Sequence, residues 1–165
     1  MSDYPLFAKL NQRPVLLVGA GHVAERKAEA LLKAGAKLHV VAQQLSPQMV
    51  AWQQQDLLHY LGSEFQAEQL APVFLVVAAT DDAELNRRVF QAAETAGKFC
   101  NSVDDLATCS FTVPAVIDRH PLKIAVSSSG SAPVLARLWR QKIETLLPQH
   151  TGRTAALAGR WRTEV

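Results

Sequence analysis

Short apolar runs alternate with amphipathic segments along the first hundred residues. An unbroken apolar run such as Pro14-Val-Leu-Leu-Val18 is typical of a strand that is buried on both faces of a parallel sheet. Residues 57–60 form a weaker run of the same kind. The runs that predict strands are 14–18, 37–41, 57–60, 73–78 and 98–101.

Between these runs, apolar residues recur at helical spacing. Ala24 and Ala28 share one face of a predicted helix, and Gly35 stands where a helix C-terminus favours glycine. A second apolar stripe follows Asp81 and Asp82, and either aspartate is suited to cap that helix. Alternating strands and helices predict an α/β fold with a doubly wound parallel sheet of the Rossmann type.

The pattern changes after about Thr108. Two β-rich runs, 110–117 and 122–127, have a four-residue connection between them, which predicts a hairpin. A helix is predicted from near Ala132, with a proline in its first turn. The sequence therefore predicts a doubly wound domain over 1–112, a small hairpin and helix over 113–147, and the start of a helical tail over 148–165.

Composition and charge argue against several classes of protein. The chain has 17 basic and 15 acidic side chains, without the basic surplus of a nucleic-acid-binding protein. Its apolar runs are too short to span a bilayer, and its N-terminus lacks the pattern of a signal peptide. The histidines and cysteines form no metal-binding motif. These features predict a cytoplasmic protein without a nucleic-acid, membrane or resident-metal partner.

The strongest local motif is a glycine loop that follows the first strand and opens the first helix. In a dinucleotide fold, Gly19 would allow the tight turn and Gly21 the close approach of a pyrophosphate. Ala24 would let the helix pack closely on the strand, and His22 and Val23 would lie in the phosphate loop. Because the helix N-terminus also offers free N–H groups to an anion, the loop predicts dinucleotide binding.

The residues that would hold the rest of the cofactor are less conventional. Dinucleotide folds that prefer NAD usually carry Asp or Glu after the second strand, but this chain has Gln43 and Gln44 there. Either glutamine is able to hydrogen-bond a ribose, and no arginine stands nearby for a 2′-phosphate, so NAD is favoured over NADP. Thr80, after the fourth strand, either touches the cofactor or only caps the next helix.

Several motifs follow one another in a fixed order along the chain. They are Gly19-x-Gly-x-Val-Ala-x-Arg-Lys27, Ala79-Thr-Asp-Asp82 with Asn86, Phe99-Cys-Asn101 with Val103-Asp-Asp105, Ser110-Phe-x-x-Pro114, Ile117-Asp-Arg119 and Ser127-Ser-x-Gly130 leading to Arg137. This order resembles one family, the precorrin-2 dehydrogenase and sirohydrochlorin ferrochelatase module of sirohaem synthase, and the resemblance covers essentially the whole chain.

The resemblance implies an activity in two steps. NAD⁺ takes a hydride from precorrin-2 to give sirohydrochlorin, and Fe²⁺, a substrate, is then inserted to give sirohaem. It also implies a homodimer whose interface is formed by the region after the Rossmann domain. The trifunctional relatives carry a further methyltransferase domain, so the tail after Pro148 is expected to begin the linking region.

The resemblance assigns catalysis to Asp104, just past the fifth predicted strand. A carboxylate there would accept the proton lost on oxidation and later the pyrrole protons, and it could ligate iron transiently. The adjacent Asp105 would raise the pKa of Asp104 if both point inward. The alternative is a solvated turn. Asn101 either orients a cofactor or substrate carbonyl or holds the backbone locally.

The substrate carries many carboxylates, so its site needs hydrogen-bond donors. Arg119 and Arg137 are candidates because a guanidinium binds a carboxylate through two hydrogen bonds, although each could equally be a solvated surface charge. Ser127 and Ser128 precede a helix and could present hydroxyls to an anion. The resemblance also implies phosphorylation of Ser128, which would repel an anionic substrate.

Two other functions remain open from the sequence. A non-catalytic NAD-sensing Rossmann regulatory domain would show the same glycine loop without needing Asp104 beside the cofactor. A methyltransferase-type fold also uses a glycine-rich first loop, but the pyrophosphate-type spacing disfavours it. The fold alone does not choose among them.

Overall fold

The computed structural model describes residues 3–103 and 105–163, with side chains described as far as Trp161. These residues form two compact units, one from Pro5 to Phe111 and one from Thr112 onward together with the residues before Pro5. The first unit contains β1 (Pro14–Val18), α1 (His22–Lys33), β2 (Lys37–Val41), α2 (Pro47–Gln54), β3 (Leu58–Gly62), β4 (Leu75–Ala78), α3 (Ala83–Thr95) and β5 (Phe99–Ser102). The second contains β6 (Ala115–Arg119), β7 (Leu122–Val126), α4 (Pro133–Leu146) and α5 (Thr151–Thr163).

The first unit is built on a five-stranded sheet in the order β3-β2-β1-β4-β5, with every strand parallel to its neighbours. In this register Val15 lies beside Leu38 of β2 and Leu75 of β4. The chain order reverses between β1 and β4, so their carboxyl ends form the crevice where such sheets bind ligands. The predicted doubly wound α/β fold is confirmed.

Apolar side chains on both faces of β1 explain why this strand is central. Val15 and Leu17 pack in a core with α1 and α2, whereas Leu16 and Val18 pack in a second core with α3. All four side chains are almost fully buried. Burying such a side chain stabilises a fold by about 1.5–3 kcal/mol, so β1 anchors both layers.

Two polar residues fix helix starts in this unit. Ser46 accepts a hydrogen bond from the Met49 N–H at 3.3 Å and caps α2. Of the two aspartates that are suited to cap α3, Asp82 does so and accepts hydrogen bonds from the Glu84 and Leu85 N–H groups. Short 3₁₀ turns at 67–70 and 106–108 were not predicted from the sequence.

The second unit begins with an antiparallel hairpin in which Ile117 of β6 lies beside Ile124 of β7. Helix α4 packs on both strands, and α5 contacts β7. The prediction of a strand from residue 110 was wrong. Ser110 instead stays at the edge of β5, where its N–H donates to the Cys100 carbonyl at 2.8 Å, so β6 begins only at Ala115.

Gly152 sits in the first turn of α5, close to the carbonyls of Arg119 and His120. A Cβ at this position would overlap those oxygens, so the helix can lie this close to the hairpin only with glycine there. Among the helices in the described ranges, none is long and apolar enough to cross a membrane.

Candidate functional site

A cleft of about 760 Å³ opens at the carboxyl ends of β1, β2 and β4, within the first unit. The glycine loop forms one part of its wall, and the segments that follow β2, β3 and β4, together with two residues of α3, form the rest. The lining residues are Val18–Gly21, Val41–Gln44, Ser63–Phe65, Ala79–Asp82, Leu85 and Arg88.

The two loop glycines meet different demands. Gly19 has a φ of 115°, and a Cβ there would overlap the Ala79 carbonyl, so only glycine fits. Its N–H donates to the Val41 carbonyl at 2.8 Å, which ties the loop to the end of β2. Gly21 has an ordinary backbone and open space where a Cβ would lie. Gly21 therefore keeps room for a ligand and is not required by the protein's own packing.

Helix α1 presents its N-terminus at this loop. No side chain caps it, and the Gly21 carbonyl accepts the first helical hydrogen bond from Glu25 at 2.9 Å. Uncapped N–H groups and the positive end of the helix dipole bind phosphate. The loop geometry therefore fits the pyrophosphate of a dinucleotide.

The structure brings most of the predicted cofactor residues into the cleft. Its lining includes Gly19, Gly21, Gln43, Gln44 and Thr80.

Three other predicted cofactor residues lie elsewhere at the start of α1. Ala24 is fully buried and lets the helix pack closely on the sheet. His22 and Val23 are exposed and do not line the cleft, and the His22 Nδ1 lies 3.6 Å from a carboxylate oxygen of Glu25.

Thr80 does not cap α3, because Asp82 does, and its contact with the cofactor stays a prediction. It lines the cleft, and its hydroxyl donates to Asn86 Oδ1 at 2.8 Å and accepts from the Asp82 N–H at 3.2 Å. Asn86 is only 6% exposed and returns a hydrogen bond from Nδ2 to the Thr80 carbonyl at 2.9 Å. Asn86 therefore fixes the shape of this wall, and no sequence argument had given it a role.

Asn101 does not line the cleft, and its side chain is occupied by protein groups. Its Oδ1 accepts from the Lys27 ammonium at 3.1 Å, and its Nδ2 donates to the Phe111 carbonyl at 3.0 Å. The residue is 7% exposed. This arrangement favours the local role over a contact with cofactor or substrate.

Asp104 lies outside the described residues, so its predicted catalytic and iron-ligating roles stay predictions. The structure does describe the residues on either side of it. The Val103 N–H donates to the carbonyl of Ala78, the last residue of β4, at 2.9 Å. Asp105 is exposed and accepts a hydrogen bond from the Ala107 N–H at 3.0 Å. The Asp105 side chain thus caps the turn at 106–108.

The cysteine thiols are poor candidates for chemistry. Cys100 is fully buried, and burial raises its pKa to about 12. Burial also raises the pKa of Cys109, whose Sγ accepts a hydrogen bond from the Ser102 N–H at 3.2 Å. Neither cysteine forms a disulfide, and a raised pKa leaves little reactive thiolate at neutral pH.

The predicted substrate residues lie in the second unit. The Arg119 guanidinium is 10% exposed and donates to Glu144 Oε1 at 3.3 Å, so it serves an internal ion pair instead of being free for a ligand. The same carboxylate accepts from Arg140 at 2.7 Å. Arg137 is exposed.

The serines before α4 are used locally. Ser127 Oγ accepts from the Ser129 N–H at 3.1 Å, and Ser128 Oγ accepts from the Ala132 N–H at 3.0 Å. Both hydroxyls therefore help to shape the turn that leads into α4.

Sequence reasoning missed part of the cleft wall. Ser63, Glu64 and Phe65 follow β3, while Leu85 and Arg88 come from α3. No motif marks these residues, and only the pairing of β3 with β2 brings the first three to the site. Within the described ranges, no group of three or more His, Cys, Asp and Glu side chains is arranged to hold a metal ion.

A family model described as putative NAD(P)-binding matches residues 6–115, and the chain belongs to that family. The expectation of a nicotinamide dinucleotide cofactor is thereby confirmed. A second model, described as the central part of a sirohaem biosynthesis protein, matches residues 119–146.

The chain is also similar to curated siroheme synthases. It is 56% identical to "Siroheme synthase 1" of Serratia proteamaculans over 164 residues, which is 99% of this chain and 34% of the relative. It is 53% identical to "Siroheme synthase" of Mannheimia succiniciproducens over 165 residues, which is 100% of this chain and 35% of the relative. The resemblance predicted from the motifs is confirmed, and the chain spans about a third of the length of these relatives.

Among solved structures, one titled "SirC, precorrin-2 dehydrogenase" matches 98% of this chain and 79% of its own chain. The TM-score is 0.81 and the sequence identity is 24%. This likeness concerns the fold, and it extends through the hairpin and the C-terminal helices.

Proposed function

We propose that this chain binds NAD in the cleft and oxidises precorrin-2 to sirohydrochlorin. The observation that carries the proposal is the glycine loop, in which the uncapped start of α1 and the open space at Gly21 meet at the carboxyl edge of the sheet. The similarity to siroheme synthases over the whole chain supplies the substrate.

The residues present fit such a cofactor. The N-terminus of α1 would hold the pyrophosphate, and Gln43 and Gln44 would meet the adenosine ribose at the end of β2. Thr80, fixed by Asn86, would border the cofactor on the β4 side. When bound, NAD⁺ supplies the acceptor for the hydride that leaves precorrin-2.

The protein must also accept a proton, because the oxidation removes a hydride and a proton from the macrocycle. We assign that proton to the Asp104 carboxylate, as the family resemblance implies. The same carboxylate would accept pyrrole protons when Fe²⁺, a substrate, is inserted in a second step to give sirohaem. This chelatase step, the preference for NAD over NADP and a cytoplasmic location are parts of the proposal.

The second unit would form the interface of a homodimer. Helix α4 exposes Val134, Leu135, Leu138 and Trp139, each at least half exposed. Four large apolar side chains on neighbouring turns are unusual on the surface of a monomer.

We also propose that phosphorylation of Ser128, beside the start of α4, lowers activity by repelling the anionic substrate.

The experiment incubates the purified chain with precorrin-2 and NAD⁺ and follows the absorbance of sirohydrochlorin. Asp104→Ala is compared with Asp105→Ala, since Asp105 caps a turn and is expected to matter less. Turnover by the wild type and Asp105→Ala but not by Asp104→Ala would support both the reaction and the base. Turnover by all three proteins would show that a residue other than Asp104 accepts the proton. NAD binding without turnover would favour a non-catalytic NAD sensor.

A further inference from the structure

The end of β2 lacks the carboxylate that usually holds the adenosine ribose in NAD-binding folds. The residues that line the cleft there are Gln43 and Gln44. An amide can accept a hydrogen bond from a ribose hydroxyl, but it does not repel the extra phosphate of NADP. A preference for NAD therefore needs another source of negative charge.

The neighbouring strand, β3, leads to a residue that supplies this negative charge. β3 lies beside β2, and the two strand ends are joined by two hydrogen bonds. The Ala42 N–H donates to the Gly62 carbonyl at 3.1 Å, and the Tyr60 hydroxyl donates to the Ala42 carbonyl at 2.8 Å. Gly62 has a φ of 132°, a conformation that favours glycine. The chain turns there, and the next residues, Ser63 and Glu64, line the same cleft as Gln43.

Glu64 is free to meet a ligand. It is exposed, and no hydrogen bond or ion pair joins it to any other described residue. The cleft wall also carries Asp81, Asp82 and, from α3, Arg88. A carboxylate at the end of β3 would repel a further phosphate, which carries a charge of about −1.5 to −2 at neutral pH, whereas Arg88, which also lines a pocket with Phe65, would attract it.

We propose that Glu64, at the end of β3, accepts a hydrogen bond from the 2′-hydroxyl of the adenosine ribose and excludes the 2′-phosphate of NADP. The carboxylate that selects NAD thus comes from one strand further along the sheet than usual. This inference rests on the proposed use of NAD and adds the residue that selects it.

The test is calorimetric titration of the purified chain with NAD⁺, NADP⁺ and 2′-deoxyadenosine NAD⁺. We expect the wild type to bind NAD⁺ at least about tenfold more tightly than NADP⁺. Glu64→Gln should raise the Kd for NAD⁺ up to about tenfold, because a neutral amide accepts a weaker hydrogen bond than a carboxylate, and should lower the Kd for NADP⁺, because the repulsion is removed. Glu64→Gln should bind the deoxy analogue as the wild type does, because the hydroxyl is already missing. Glu68→Gln is the matched control, since Glu68 is exposed but does not line this cleft.

Three results would overturn the inference. If Glu64→Gln binds both natural cofactors as the wild type does, Glu64 has no such role, while the proposed function stands. If the wild type prefers NADP⁺ and Arg88→Gln removes that preference, Arg88 selects the cofactor instead. If the wild type binds no dinucleotide, the inference and the proposed function fail together.

Discussion

The two units of this chain bury their apolar residues to very different extents. In the first unit, β1 and β4 are buried along almost their whole length, with helices on both faces of the sheet. In the second unit, every other residue of β6 and β7 is exposed; Ile117 is the one buried residue of these two strands, and Ala136 is the one buried residue of α4. The first unit is packed like a complete domain, whereas the second leaves apolar surface open.

This difference implies that substitutions in the two units should have different consequences. In the first unit, substitutions should act through packing or through the cofactor, and Gly19 and Gly21 exemplify the two cases. In the second unit, exposed apolar residues should matter for assembly more than for the stability of one copy. The predictions below test this division, beginning with the largest expected effect.

Gly19→Ala should destabilise the first unit by about 3–5 kcal/mol, because the new Cβ would overlap the Ala79 carbonyl in a strained backbone conformation. Thermal or denaturant unfolding measures the effect. Gly97→Ala is the control: Gly97 also has a positive φ, of 64°, but open space around the new Cβ. That variant should lose only about 1 kcal/mol. Equal losses would show that the contact with Ala79 is unimportant.

Leu138→Glu should raise the Kd of the proposed dimer about a hundredfold, which corresponds to about 2.7 kcal/mol, because it places a charge in the exposed apolar face of α4. Analytical ultracentrifugation measures the change. Val50→Glu alters an exposed apolar residue on α2 of the first unit and should leave the dimer intact. A wild type that is monomeric at high concentration would refute the proposed interface.

Gly152→Ala should destabilise the second unit by about 2 kcal/mol, because its Cβ would overlap the carbonyls of Arg119 and His120 and push α5 away from the hairpin. Hydrogen exchange of the α5 amides should rise. Gly159→Ala lies in the same helix with open space around the new Cβ, so helix propensity should make it neutral or slightly stabilising. Similar exchange in both variants would contradict the close packing.

Lys27→Met should cost about 1 kcal/mol, because it removes the hydrogen bond to the buried Asn101 amide while keeping a good helix former. Unfolding in denaturant measures the loss. Lys33→Met in the same helix removes an exposed pair with Glu29 and should produce no measurable change. A larger effect at position 33 than at position 27 would contradict the role given to Asn101.

The smallest effect expected is a pH dependence from His39. Burial, with a contribution from the charge of His59, lowers the pKa of His39, so the fold favours the neutral ring. This contribution to stability should be complete above about pH 6.5, the usual histidine value, and should be lost as the pH falls below it. Unfolding of the wild type and His39→Gln across this range would show the difference. If the free energy of unfolding of the two proteins changes with pH in the same way, His39 makes no such contribution.

The sequence was sufficient for the features that depend on local pattern. The apolar runs predicted the parallel strands, and the glycine loop was placed because its turn and helix start are encoded within six residues. Features that depend on tertiary neighbours were not predicted. Glu64 reaches the cleft only through the pairing of β3 with β2, and Arg119 pairs with Glu144 across 25 positions of sequence.

One predicted boundary failed for a similar reason. Ser110 and Phe111 have the composition of a strand, but hydrogen bonds to Cys100 and Asn101 hold them at the edge of β5. Local propensity favoured a strand, and the tertiary contact determined where it begins.

The most direct test of the central claim measures NADH and sirohydrochlorin together when the wild-type chain is mixed with NAD⁺ and precorrin-2 in the absence of iron. The account predicts that the two products form in equal amounts and that Gly21→Val, which fills the open space at the phosphate loop, folds normally but forms neither. Binding of NAD⁺ by the wild type without formation of NADH would contradict the dehydrogenase assignment and leave only a cofactor-binding domain.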